Sequence, residues 1–134
     1  MSGIPVTGVS ELVLEVEDLE QATGFYAGVL GFPIIGRSER RSWVIAGDRT
    51  RIGLWLPQLG LAAGRGGSHV HFALHVGERD FDDAVARLSS YAYEPELASF
   101  EDDDRGRAAY VTDPDGNVVE LWTFDVRRYL EQVA

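Results

Sequence analysis

Apolar residues recur along this chain in two rhythms, and the order of the rhythms repeats. Glu11 to Val16 alternates in the two-residue period of a half-buried strand. Asp18 is placed to cap a helix in which Leu19, Ala22, Tyr26, Val29 and Leu30 fall on one face, and Gly31 closes it. Pro33 to Gly36, Trp43 to Ala46 and Arg51 to Leu56 predict three more strands. The last two are joined by a hairpin turn at Ala46-Gly47-Asp48-Arg49. Residues 57–68 are rich in glycine and read as a linker or loop. The rhythm then starts again. His69 to Val76 predicts a strand, and Asp80 is placed to cap a helix with Phe81, Val85 and Leu88 on one face. A weak strand follows near Tyr93 to Ala98, then a solvated acidic loop, Glu101 to Asp104. Two strands flank Asp113-Pro114-Asp115-Gly116-Asn117, and Val126 to Val133 suits a short terminal helix.

The order is therefore β-α-β-β-β twice. Glu11-Leu12-Val13-Leu14-Glu15-Val16 lies over His71-Phe72-Ala73-Leu74-His75-Val76, and Gly53-Leu54-Trp55 lies over Glu120-Leu121-Trp122. Two copies with a short link suggest a duplicated module, about 9–57 and 69–124, within one domain. The Asp-Pro-Asp-Gly-Asn segment is turn chemistry: Pro114 pre-sets φ, and Gly116 and Asn117 tolerate positive φ. It feeds the β-branched, aromatic strand Val118 to Phe124, whose middle holds one carboxylate, Glu120. An unpaired buried charge is costly, so Glu120 is expected to have a partner.

Strand parity adds chemistry to this frame. Leu12, Leu14 and Val16 share one face, with Glu11, Val13 and Glu15 on the other. Val70, Phe72, Leu74 and Val76 oppose His69, His71, Ala73 and His75; Val119 and Leu121 oppose Val118, Glu120, Trp122 and Phe124. The apolar faces are expected under the helices. The opposite faces collect carboxylates, aromatics and all 3 histidines of the chain, a poor core and a reasonable pocket lining. His and Glu on neighbouring strands suit a borderline or hard divalent cation. His71, Glu120 and Glu11 are the candidate site residues. His69 and Glu15, near strand ends, are read as solvated, and His75 stands between pocket lining and solvent.

Composition narrows the partners. With 22 acidic against 12 basic residues the net charge is −10, which argues against nucleic acid and anionic membranes. The 134 residues suffice for one domain with a sizeable core. No cysteine is present, so neither disulfide nor thiolate zinc site is available. Met1 to Ser10 lacks signal-peptide character, and no apolar run approaches the ~20 residues of a bilayer span. A cytoplasmic location is the default expectation.

The residues Val16-Glu17-Asp18-Leu19-Glu20, Phe25-Tyr26, Val29-Leu30-Gly31-Phe32, Tyr110, Asp113-Pro114-Asp115-Gly116-Asn117 and Glu120-Leu121 carry a family likeness. Over essentially its whole length the chain resembles the vicinal oxygen chelate superfamily, which comprises glyoxalases, bleomycin-resistance proteins and extradiol dioxygenases. The resemblance implies an α+β fold of two βαβββ modules, with curved mixed sheets forming a cupped, partly closed barrel around a site. It implies a homodimer, and in metal-binding members a ligand on the first and last strand of each module. Those four positions fall here on Glu11, Gly53, His71 and Glu120. A histidine is commoner at the position of Glu11, and Gly53 has no side chain to offer. At most three ligands remain, one His and two carboxylates, for which Mg²⁺, Mn²⁺, Ni²⁺ or Zn²⁺ would be as plausible as iron, or no metal at all.

Three functions compete. In a metal-dependent enzyme of lyase, isomerase or dioxygenase type, His71, Glu120 and Glu11 would hold a Lewis-acidic cation. It would chelate vicinal oxygens of a substrate, and Glu11 or Glu120 would act as general base. In a metal-free drug-binding protein, Trp43, Trp55, Trp122, Phe124 and Tyr110 would stack on a flat ligand and acidic groups would attract a cationic one. Ordinary packing suits Trp43 equally well, whereas Trp55 and Trp122 occupy equivalent places beside the ligand positions. A dimeric scaffold without a ligand ranks last, because it leaves the histidines on one face unexplained. Arg37, Arg51, Arg65 and Arg107 are read as solvated.

Overall fold

The computed structural model describes residues 8–57, 70–100, 106–125 and 127. His69, most of the Gly-rich linker with Arg65, the acidic run Glu101 to Asp104 and all of the expected terminal helix but Arg127 lie outside the described residues. The chain divides into two compact units, Met1–Ser68 and His69–Ala134.

The first unit contains strand β1 (Glu11–Glu15), helix α1 (Leu19–Thr23), and strands β2 (Ile34–Arg37), β3 (Arg41–Ala46) and β4 (Thr50–Trp55). They form a mixed sheet of order β1-β4-β3-β2, with β1 parallel to β4 and the other pairs antiparallel. Leu14, Val44, Ile52 and Leu54 are buried on one sheet face, each such burial contributing roughly 1.5–3 kcal/mol. Helix α1 lies on that face, since the Thr23 hydroxyl meets the Ser42 hydroxyl of β3 at 2.8 Å. Both groups are buried, and each satisfies the other.

Asp18 caps α1 as expected, accepting a bond from Gln21 N at 3.0 Å. What the periodicity did not reveal is that the helix widens into a π-helical segment, Gly24–Val29, with Leu30 N bonded to Phe25 O. The wider turn lets two consecutive aromatics, Phe25 and Tyr26, both become buried, with their rings edge to face at 5.0 Å. Gly31 ends the segment at φ +78°, the left-handed position glycine favours.

The second unit repeats the plan: β5 (His71–His75), a single 3-10 turn (Glu78–Asp80), helix α2 (Phe81–Ser90), β6 (Glu96–Ser99), β7 (Arg107–Thr112) and β8 (Val118–Trp122). Sheet order is β5-β8-β7-β6, again with one parallel pair, β5 and β8. Arg107 ties β7 to the helix. Its guanidinium bonds Glu78 and Asp82, each at 2.9 Å, and lies 4.5 Å from the centre of the Phe81 ring. Arg51, expected to be solvated, is exposed and pairs with Glu11 at 3.0 Å, while Arg107 is only partly exposed and held in these contacts. The cap expected of Asp80 is corrected. Asp80 precedes α2 but makes no side-chain capping bond, because the 3-10 turn carries the chain into the helix. The fold is α+β, two βαβββ modules with mixed sheets.

Candidate functional site

The register of the second sheet decides which side chains can meet. Ala73 pairs with Glu120 across the parallel strands, with His71 beside Val118 and His75 beside Trp122. Tyr110 lies opposite Glu120 and Ala108 opposite Trp122. Glu96 lies opposite Tyr110 and Ala98 opposite Ala108. Paired residues share a face, so Glu96, Tyr110, Glu120, His71, Trp122 and His75 belong to one surface of the sheet. The charge on β8 has its partner there: His71 Nε2 lies 2.9 Å from Glu120 Oε1. The Glu120 side chain is 8% exposed and that of His71 57%, so the imidazole closes over a buried carboxylate.

Tyr110 completes a three-residue group. It lies opposite Glu120 across the strands, and its ring stands edge-on to His71 at 5.9 Å. Desolvation, and then the charge of Glu120, hold the Tyr110 hydroxyl above its ordinary pKa. One two-residue step along β8, Trp122 packs with Phe124 at 5.0 Å between ring centres and with Phe100 at 6.2 Å. Phe100 was not among the residues singled out from the sequence. The available signal was its parity with Glu96 and Ala98, which the acidic run just after it obscured.

The turn motif supports this group from below. Asp113 Oδ1 accepts from the Asp115 and Asn117 amides, and Asp113 Oδ2 accepts from Asn117 Nδ2. Asn117 Oδ1 accepts from Val70 N at 2.9 Å, while Val118 N donates to Val70 O. Both Asp113 and Asn117 are buried. The motif therefore clamps the start of β5 to the start of β8 and sets His71 beside Glu120. Of the two residues expected to tolerate positive φ, Gly116 alone uses it, at +89°.

The first module has the same register and different chemistry. Val13 and Trp43 both pair with Gly53, Glu11 with Arg51, and Arg41 with Trp55. Glu11 forms an ion pair with Arg51 at 3.0 Å and accepts from Trp43 Nε1 at 3.1 Å. Trp43 and Trp55 stand edge to face at 6.3 Å, with Arg41 stacked 4.5 Å from the centre of Trp55. A Cβ on Gly53 would come within 2.8 Å of Trp55 Nε1 and 3.2 Å of Trp43 Nε1. The position equivalent to Glu120 is thus filled by two indoles. Trp55 Nε1 is buried with no hydrogen-bond partner among the described residues.

The structure thus brings together His71, Glu120 and Tyr110, and separately Trp122, Phe124 and Phe100. Exposed His75 shares their face, beside Trp122, while Glu11, Trp43 and Trp55 belong to the other module. Among the described residues, no three His, Asp or Glu side chains gather into a group that could hold a metal ion. No helix among them is long and apolar enough to cross a membrane.

The family model described as Glyoxalase/Bleomycin resistance protein/Dioxygenase superfamily matches residues 8–121. Among solved structures, the chain is similar to lactoylglutathione lyase from Agrobacterium tumefaciens, with TM-score 0.75 and 22% identity, covering 89% of this chain and 95% of that one. It is similar to TnmS3, an antibiotic binding protein from Streptomyces sp. CB03234, with TM-score 0.65 and 26% identity over 90% of this chain and 98% of that one. The oxidase ChaP-H2 matches at TM-score 0.67 and 20% identity over 91% and 96%. No curated protein matches the sequence.

Proposed function

The chain belongs to the glyoxalase, bleomycin-resistance and dioxygenase superfamily, and from that premise we propose that it binds a small aromatic molecule without a resident metal ion. The observation that carries this reading is the fate of the first module's donor positions. Glu11 is neutralised by Arg51 and bonded to Trp43, and the space at Gly53 is filled by indoles. The remaining donors, His71 and Glu120, are two, whereas a catalytic metal centre ordinarily takes three protein ligands. The residues present therefore do not fit a resident catalytic metal.

What remains is a surface suited to binding. A carboxylate, an imidazole and a phenol lie one step along the strand from a cluster of three aromatic rings in edge-on and tilted contact. Likeness to an antibiotic binding protein at 26% identity supports the same direction. Cytoplasmic location and a homodimer belong to the same proposal, the latter checked by light scattering on the purified protein.

Metal analysis tests the reading. The protein purified without chelator should carry no stoichiometric Mg, Mn, Ni, Zn or Fe, and none of these ions should raise its melting temperature. One equivalent of a divalent ion, lost in His71→Ala and Glu120→Gln, would overturn it in favour of a metal-dependent lyase or dioxygenase built on His71, Glu120 and Glu11.

A further inference from the structure

The second-module face holds a mostly buried carboxylate whose partner among the described residues is an imidazole and not a guanidinium. Its four strands bring Glu96, Tyr110, Glu120, Trp122, His71 and His75 to one surface. The ionisable groups are two carboxylates, two imidazoles and a phenol, with no arginine among them. Arg107 belongs to β7 but points from the opposite face, where it is engaged with Glu78, Asp82 and Phe81. Beyond the end of β8, Asp125 is paired with Arg127. The same face of the first module sets Arg41 and Arg51 against Glu11 and Glu15.

We propose that the ligand of the second-module face is an arylalkylammonium, its cationic nitrogen on Glu120 beside His71 and Tyr110, its ring against Phe100, Trp122 and Phe124. This identification rests on the reading of that face as a binding site. A carboxylate offers about four lone-pair positions, and His71 occupies one of them. An ammonium group can donate to those left, and the low polarity around a mostly buried carboxylate strengthens such a charge-assisted bond. Glu120 and Trp122 are two residues apart on one strand, a separation of about 7 Å. A chain of two or three carbons spans that gap between an aromatic ring and a nitrogen. The ring cluster then takes the aryl group edge-on or offset, the geometry its own members adopt.

Saturation-transfer NMR titrations of the full chain test this with three probes of one size: phenethylammonium, phenethyl alcohol and hydrocinnamate. At neutral pH and low salt, phenethylammonium should bind about tenfold tighter than the alcohol, the gap between a charged and a neutral hydrogen bond. Hydrocinnamate should bind weakest. Glu120→Gln should erase the preference for the cation and leave the alcohol within about twofold, while Trp122→Ala should weaken all three. Circular dichroism reports whether Glu120→Gln folds. If it does not, the wild-type preference should still shrink as salt rises from low to about 0.3 M. Equal affinity for the three probes, or a salt-independent preference, overturns the identification and leaves the binding reading standing. Binding of none overturns both.

Discussion

In the first module the residue on the first strand is Glu11, and it meets Arg51 at 3.0 Å and Trp43 Nε1 at 3.1 Å. In the second module the matching residue is His71, and it meets Glu120 at 2.9 Å and the edge of Tyr110. Trp43 and Tyr110 are counterparts, as are Gly53 and Glu120, because each pair holds the same place in its sheet. The three inner and parallel-paired strands of the two sheets agree in register, the edge pair β2–β3 alone carrying a bulge, and the sheets differ in how they settle charge. The first pairs its carboxylate with a guanidinium and fills the centre with indoles. The second keeps a mostly buried carboxylate partnered by an imidazole, with a phenol opposite it across the strands. A duplicated backbone thus fixes where side chains project without deciding what they do. At the central position the first module has a glycine over which two indoles pack, where the second has Glu120.

The most severe way to break this comparison is to install the second module's carboxylate in the first. Gly53→Glu places a Cβ against Trp55 and a charge among the indoles. It should cost about 3 kcal/mol or more, read as a lower urea midpoint. Unchanged stability would show that the indoles do not occupy that space. Next in size is the clamp of the second module. Asn117→Ala strands Val70 N and removes the amide bond to Asp113 Oδ2. It should cost about 2 kcal/mol and loosen amide protection at the start of β5 in hydrogen exchange.

A smaller test concerns the helix ends. The first module leaves its helical segment through Gly31 at φ +78°, and the second leaves α2 through Ala92 at φ +65°. Ala92→Gly should raise stability by about 1 kcal/mol, whereas Gly31→Ala should lower it by a similar amount. Equal, small effects at both sites would mean that the backbone relaxes in each.

The smallest effect is confined to alkaline solution. The Tyr110 hydroxyl is raised above its ordinary value of 10.0 by desolvation and by Glu120. The native state therefore favours the protonated phenol. That contribution is complete below the unfolded value and is lost as pH rises through the folded one. An ultraviolet titration should show Tyr110→Phe removing an ionisation above pH 10, and Glu120→Gln moving the same ionisation down. Trp43, the counterpart in the first module, has no such group, so Trp43→Phe should leave the alkaline titration unaltered.

Much of the frame was readable from residues alone. The eight strands among the described residues lie where alternation places them, within a few residues, and Asp18 and Gly31 bound the first helix as their chemistry predicts. The superposition of Gly53 on Glu120, and of Trp55 on Trp122, is the register the sheets adopt. Three features escaped. The π-helical widening depends on burying Phe25 together with Tyr26, which no single-period template anticipates. The 3-10 entry to α2 displaced the cap expected of Asp80. Phe100 was hidden beside an acidic run.

The sequence by itself determined the duplicated β-α-β-β-β order, the turn that joins β7 to β8, and the face on which each candidate residue lies. These follow from local rules: a two-residue strand period, a helical period and the φ preferences of Gly, Pro and Asx residues. Only the tertiary structure decided which charged groups are already satisfied. Glu11 and Glu120 look alike on paper, both on strand faces rich in polar and aromatic residues. One is taken by Arg51 and Trp43, the other by His71. The physical reason is that an ion pair or hydrogen bond forms within about 3 Å, between side chains brought together from remote strands. Pattern along the chain places such groups on a common face, and packing alone sets the last few ångströms.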